Sequence, residues 1–180
     1  SASLIITYQN GNRELIEVQD VSTIRQTLPA LRGVREVAWD PRLPGRLLLL
    51  RQNGDLASFS LQTQSTTRIA SNVAFFAPTT RDIVVVTTDN EIQWYSLTGQ
   101  QKATTTLKEL SQDIVSVAAS PSGNIIIRAE NNDVYVFTDT SVATRLPLGG
   151  DVRGWSPDGT LLLLQPNANE QAVYNVDNER

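Results

Sequence analysis

Four segments of this chain repeat one pattern: a small or aromatic pair, a proline, a purely aliphatic run, an Asn/Asp/Gly turn and then a strand ending on an aromatic. Trp39-Asp40-Pro41 precedes the aliphatic run 47–50, Phe76-Ala77-Pro78 precedes 83–86, Ala119-Ser120-Pro121 precedes 125–127, and Trp155-Ser156-Pro157 precedes 161–164. The four prolines are 37, 43 and 36 residues apart. A period of roughly 40 residues filled with short strands is the signature of β-propeller blades, each a four-stranded antiparallel sheet.

A second register tests the repeat. From each proline to the aromatic of the third strand, the spacing is 18 residues to Phe59, 17 to Tyr95, 16 to Phe137 and 17 to Tyr174. Between run and aromatic lie residues that tolerate positive φ: Asn53-Gly54, Asp89-Asn90, Asn131-Asn132 and the longer Pro166-Asn167-Ala168-Asn169. Such residues close tight hairpins. The aliphatic runs do not alternate with polar residues, so both faces of those strands are expected to be buried between neighbouring blades. Only 21–31 and 107–113 have the composition for a helical turn or two, and Pro29 interrupts the first. The chain therefore reads as all-β, and its 40% apolar residues suffice for a core at 180 residues.

Counting strands divides the chain into blades at approximately 1–32 (partial), 33–70, 71–111, 112–149 and 150–180 (partial), in one propeller domain or segment. The first segment holds strands at 4–8, 14–18 and near 21–27 around an Asn10-Gly11 turn, as if its innermost strand were missing. The last holds strands at 152–155, 161–164 and 172–176 and no fourth. Three complete blades and two partial ones make about eighteen strands, where a closed ring needs a multiple of four. The chain also starts at Ser1 and contains no methionine. It reads as part of a larger propeller or assembly, whose remaining blades or protein partner cover the open terminal blades.

Trp155-Ser156-Pro157-Asp158-Gly159-Thr160, followed by four leucines, resembles the blade signature of TolB-like, or PD40-type, propellers, a WD40-like repeat class. Trp39-Asp40-Pro41 and Ala119-Ser120-Pro121-Ser122-Gly123 are weaker copies and Phe76-Ala77-Pro78 a degraded one, so the resemblance spans about residues 33–180. It implies a structural role for Trp39, Pro41, Pro78, Pro121, Trp155, Pro157, Asp158 and Gly159: proline and Asp-Gly shape a turn and the aromatic packs between blades. Two related signatures do not fit. The Trp39-Asp40 dipeptide lies in a first strand, not at the end of a third as in WD40 repeats, and the sialidase Asp box needs one more residue between Gly159 and Thr160.

Chemistry is bounded by absent residue types. With no His and no Cys, the segment holds no Ser-His-Asp or Cys-His set and no thiolate or imidazole metal site. Asp55, Asp89, Asp113, Asp133, Asp151 and Asp158 are scattered singly and read as turn formers, so no catalytic residue, cofactor or metal is assigned. The first 51 residues carry seven Arg against five acids and the remainder eight basic against fourteen acidic groups, for a net charge of −4. That balance gives no general attraction to nucleic acid. Arg32, Arg35, Arg42 and Arg46 form a local basic cluster beside Glu36 and Asp40.

Propeller geometry says where a binding site would lie. The first strand of each blade lines the channel, and the loops leading into it form a rim with the second-to-third-strand turns. Four residues before each motif aromatic or its substitute stand Arg35, Asn72, Val115 and Asp151, different in every blade. With Arg32, the residues Arg35, Asn72 and Asp151 are the candidate partner-binding rim. Arg35 is expected to contribute to binding and little to folding.

The function read from these features is a non-catalytic binding or scaffold module for protein–protein interaction. The alternative is the substrate-gating or carbohydrate-binding propeller portion of a larger hydrolase, a peptidase or glycosidase. The apolar runs are about five residues, too short to insert in a membrane as helices. The TolB-like resemblance, with abundant Thr, Gln and Asn and two Lys, points to an extracytoplasmic setting, periplasmic or cell-surface, with any anchor outside the segment.

Overall fold

A computed structural model describes residues 2–7, 13–19, 22–26, 28–96, 98–106, 113–138, 140 and 143–176. They form five antiparallel sheets in chain order. The first contains β1 (Ala2–Thr7), β2 (Arg13–Gln19) and β3 (Ser22–Gln26). The second contains β4 (Val34–Trp39), β5 (Arg46–Arg51), β6 (Leu56–Ser60) and β7 (Thr66–Ala70). The third contains β8 (Val73–Pro78), β9 (Ile83–Thr87), β10 (Glu91–Tyr95) and β11 (Gln101–Thr106). The fourth contains β12 (Ile114–Ala119), β13 (Ile125–Ala129), β14 (Val134–Phe137) and β15 (Ala143–Arg145). The fifth contains β16 (Asp151–Trp155), β17 (Leu161–Asn167) and β18 (Glu170–Asn175). Each sheet is an up-and-down meander, with three complete blades between two three-stranded ones.

Among the described residues of 21–31, helix is confined to one 3-10 turn, Pro29–Leu31, preceded by β3. The reason is Pro29 at the head of the turn, while Ser22–Gln26 pairs with β2 instead. The Asn10-Gly11 turn and most of the 107–113 segment lie outside the described residues. At the other end, β17 runs through Pro166 to Asn167, so the expected four-residue turn shrinks to Ala168-Asn169, with a bulge between Leu164 and Asn167 taking up the difference.

The aromatic register holds in the pairing: Phe59, Tyr95, Phe137 and Tyr174 lie opposite Leu47, Ile83, Ile125 and Leu162. The aliphatic second strands divide their side chains between two cores. Leu47 and Leu49 pack with Leu15, Leu31 and Phe59 between the first and second sheets, while Leu48 and Leu50 pack with Val73, Ile83 and Val85 between the second and third. Val84 and Val86 join Ile125 and Ile127 between the third and fourth, and Ile126 joins Leu162 and Leu164 between the fourth and fifth. All eight residues of 47–50 and 83–86 are 0% exposed. Trp94 and Phe137 meet edge-on across the third interface, centroids 5.8 Å apart.

The alternation stops at β17. Leu162 and Leu164 are buried against the fourth sheet, but Leu161 is 38% exposed, Leu163 is half-buried and Val173, opposite Leu163, is 66% exposed. Leu161, Leu163 and Val173 make that face partly apolar, with Gln165 where Leu50 stands in the second sheet, and among the described residues no further sheet lies on it. Leu48 and Leu163 occupy the same register position, opposite Ala38 and Gly154 respectively. Leu48→Ala is therefore expected to cost about 3 kcal/mol in urea unfolding, the range for a fully buried leucine. Leu163→Ala is expected to cost under about 1 kcal/mol, since much of its surface is already in water. Equal losses at the two positions would contradict this division of the core.

Candidate functional site

The two ends of the sheets are built differently. At one end, a short polar side chain caps the first-to-second-strand turn of the second to fifth sheets: Asp40 Oδ1 accepts from Arg42 N (3.1 Å), Thr79 Oγ1 from Asp82 N (2.8 Å), Ser120 Oγ from Asn124 N (2.9 Å) and Ser156 Oγ from Leu161 N (2.9 Å). Pro41, Pro121 and Pro157 follow the cap and begin the turn. Pro78 does not: it is the last residue of β8, opposite Ile83, and Thr79 is the cap. The third blade's motif is thus Ala77-Pro78-Thr79, displaced from the frame expected around Phe76, which is itself core.

Trp39 and Trp155 are half-buried at the interfaces of their sheets with the preceding ones. The Trp155 indole N–H is buried without an acceptor. Asp158 Oδ1 accepts from the backbone N–H (3.1 Å) and hydroxyl (2.9 Å) of Thr160 and from the Ser156 hydroxyl, and these bonds, that from Ser156 foremost, hold its pKa below the ordinary value. Gly159 has φ +75°, and a Cβ there would fall 2.6 Å from Ser122 Oγ and 2.7 Å from Ser122 N, so the turn of one blade seats on that of the last through a bare Cα.

The opposite end carries the loops that lead into the first strands and the second-to-third-strand turns. Each turn clasps the next blade: Val73 N donates to Gly54 O (2.9 Å), Ile114 N to Asn90 Oδ1 (3.3 Å) and Gly150 N to Asn132 O (3.0 Å). Positive φ at Gly54, Asn90 and Asn132 makes both the hairpin and the clasp possible.

The rim candidates fall into different roles here. Arg35 and Val115 are extra residues in β-bulges, and the third member of that set is Ala74, because β4, β8 and β12 share a bulge that counting from Phe76 misses by two residues. Asn72 instead precedes β8 with φ 57°, matching Gly33 with φ 65° before β4. In β16 the bulge is at Arg153, and Asp151 opens the strand. Arg32, Asn72 and Asp151 are exposed in the lead-in loops or at their ends. Arg35 is exposed too, but its guanidinium donates to Ala74 O, while Arg13 of β2 donates to Val34 O and Arg35 O (2.7 Å). These arginines lash β2, β4 and β8 of three successive sheets together, so Arg35 has a folding role that sequence alone did not show. Arg42 lies beyond the other end of β4, ion-paired with buried Asp40 at 3.1 Å, so the four-arginine cluster is split between the two ends of the sheet.

Charge at this rim is largely paired within each blade. Asp55 holds Asn53 at 2.9 Å and Arg68 at 2.8 Å; Asp133 holds Asn131 at 2.8 Å and Arg145 at 2.7 Å. The Arg145 bond is the chief reason the Asp133 pKa is lowered. Asp151 pairs with Arg128 at 3.1 Å and Arg153 at 3.7 Å beside a 320 Å³ cleft. A larger cleft of 410 Å³ lies between the second and third sheets, with Ala70, Ser71 and Asn72 on one wall and Glu91, Gln93 and Tyr95 on the other. Glu36, on β4, has its pKa raised by burial, against the opposing pull of Arg35 and Arg13. Asn72 and Asp151 therefore serve separate clefts. The Glu91 side of the larger one was missed because its charge is significant only beside the paired turns of the other blades.

Arg35→Ala is expected to lower stability by about 1 kcal/mol, the net value of a hydrogen bond lost between two blades, as read by urea unfolding; an unchanged midpoint would remove Arg35 from the inter-blade clasp. For Asp133 the sign is that of a depressed acid: its stabilisation is present above the unfolded value of 3.8 and is lost as pH falls through the lower folded value. Unfolding curves from pH 5 to pH 2 are expected to show a smaller acid loss in Asp133→Asn than in the parent.

No family model matches the chain, and no curated protein sequence matches it. Solved structures do. BamB from Moraxella catarrhalis matches with TM-score 0.58 and 13% identity over 74% of this chain and 41% of that one. BBS1N, crystallised in complex with ARL6DN, matches with TM-score 0.66 and 11% identity over 97% and 61%. The β-propeller domain of Myceliophteria thermophila Cps50 (Swd1) matches with TM-score 0.63 and 11% identity over 81% and 53%. The chain thus spans about two-fifths to three-fifths of the length of these chains, and with its five unclosed antiparallel sheets it has a β-propeller fold.

Proposed function

We propose that this chain is a non-catalytic protein-interaction module built as an arc of TolB-like propeller blades, working in an extracytoplasmic assembly. The observation that carries the reading is the last sheet. Its outward face carries Leu161, Leu163 and Val173, and it leaves Val173 66% and Leu161 38% exposed. An exposed apolar patch of that kind is a surface for protein, whether further blades or another chain. The BBS1N neighbour, whose structure holds it with ARL6DN, is an instance of a similar arc in a protein complex. The Trp155-Ser156-Pro157-Asp158-Gly159 turn supports the TolB-like reading and, with it, an extracytoplasmic setting.

The test is association through that face. The parent chain is expected to associate, with itself or with protein captured from an envelope extract, in light scattering and quantitative pull-down. Val173→Lys is expected to abolish that association while leaving the unfolding midpoint within about 0.5 kcal/mol, as for a surface substitution. Association undiminished by Val173→Lys would overturn the role of this face.

A further inference from the structure

Resting on the reading of the chain as a protein-interaction module, we infer that the cleft between the second and third sheets is a receptor for an arginine side chain of a partner protein. The internal repeats supply the template. In the second blade, Asp55 of the turn receives the guanidinium of Arg68, which stands opposite Ala57. In the fourth, Asp133 receives that of Arg145, opposite Tyr135. In both, the residue two before the aspartate is an asparagine whose Nδ2 donates to the same carboxylate. These are diagonal cross-strand pairs on one face of the sheet, with a charge-assisted bond closing each.

The third blade departs at all three positions. Glu91 stands where Asp55 and Asp133 stand, Asp89 replaces the asparagine, and the arginine position, opposite Gln93, is Thr104. The hairpin has gained a carboxylate and lost its cation. The Asp89, Glu91 and Gln93 side of this hairpin lines a cleft of 410 Å³. Arg68 also borders the cleft, but its guanidinium is committed to Asp55 of its own blade.

The free carboxylate is positioned. Tyr95 donates to Gln93 Oε1 at 2.8 Å, and Gln93 Nε2 donates to Glu91 Oε2 at 3.0 Å. The chain of bonds fixes one oxygen of Glu91, and neither Oε1 nor the Asp89 carboxylate has an ion-pair partner among the described residues. Arginine suits the place better than lysine, since its planar fork satisfies two oxygens at once and the sister blades already hold that group against the equivalent carboxylate.

The probe is acetyl-Thr-Thr-Arg-Ile-Ala-amide, which copies β7, compared with the same peptide carrying citrulline for arginine. Titration followed by amide chemical shifts is expected to give saturable binding of the arginine peptide, with the shifts centred on Glu91, Gln93 and Thr104. The citrulline peptide, Glu91→Gln and Thr104→Arg are each expected to weaken it at least about tenfold. Thr104→Arg rebuilds the internal ion pair, so its thermal midpoint is expected to match or exceed the parent's, which separates occupation of the site from loss of fold. No saturable binding, binding equal for citrulline, or binding unaffected by Thr104→Arg would overturn the proposal. Val173→Lys is expected to leave peptide binding unchanged, so failure at the outward face and failure at this cleft are read separately.

Discussion

The structure depends on the second strand of each interior sheet being buried on both faces at once. Four consecutive leucines in β5, or the Ile-Val-Val-Val of β9, can be kept from water only if a sheet lies on each side, because successive residues of a strand point in opposite directions. Leu47 and Leu49 serve one core and Leu48 and Leu50 the next, so every interior sheet joins two cores and no core belongs to one sheet. Stability is then a property of interfaces between neighbours, as in stacked repeats. The face left by Leu161, Leu163 and Val173 follows from the same rule, applied where no further described sheet stands.

The two ends of these sheets share a backbone plan and differ in freedom. At the first-to-second-strand turns the caps Asp40, Thr79, Ser120 and Ser156 perform one task with different side chains, and Gly159 is tied by contact with Ser122. Change there acts mainly on folding. At the other end, backbone clasps from Gly54 and Asn132 carry the structural duty, and Asn90 does so through its side chain. Side chains around the clasps are therefore free to vary, and both clefts lie beside them.

Much of this was legible in residue order because it rests on composition with a fixed period. The aliphatic runs, the positive-φ residues after them and the aromatic register from Phe59 to Tyr174 are each local. The misread features depend on pairing. A bulge adds a residue without a residue-type signature, so counting back from Phe76 reached Asn72 and not Ala74, and Pro78 read as a turn residue although it closes a strand. The Arg13 and Arg35 bonds join strands more than twenty residues apart, which no spacing rule reveals. The Arg32, Arg35, Arg42 and Arg46 group is adjacent in sequence only, since β4 carries the chain the length of the sheet between its members.

A repeat architecture makes its own control experiments, and that is where functional signal is strongest. A carboxylate on a hairpin is ordinary taken alone, and Asp55 and Asp133 are ordinary in that sense: each is neutralised by an arginine of its own blade. Glu91 differs only by comparison, since the same backbone position in the same kind of turn has lost the cation and gained Asp89. The charge is felt locally, for burial and then Glu91 push the Tyr95 hydroxyl above its ordinary pKa. The phenol stays protonated below that value, so the carboxylate exacts no penalty through it, and a positive group arriving from outside gains an ion pair that no cation of this blade supplies. The departure from the repeat thus leaves a carboxylate suited to a cationic partner, whereas the sister turns, already neutral, have nothing to offer one.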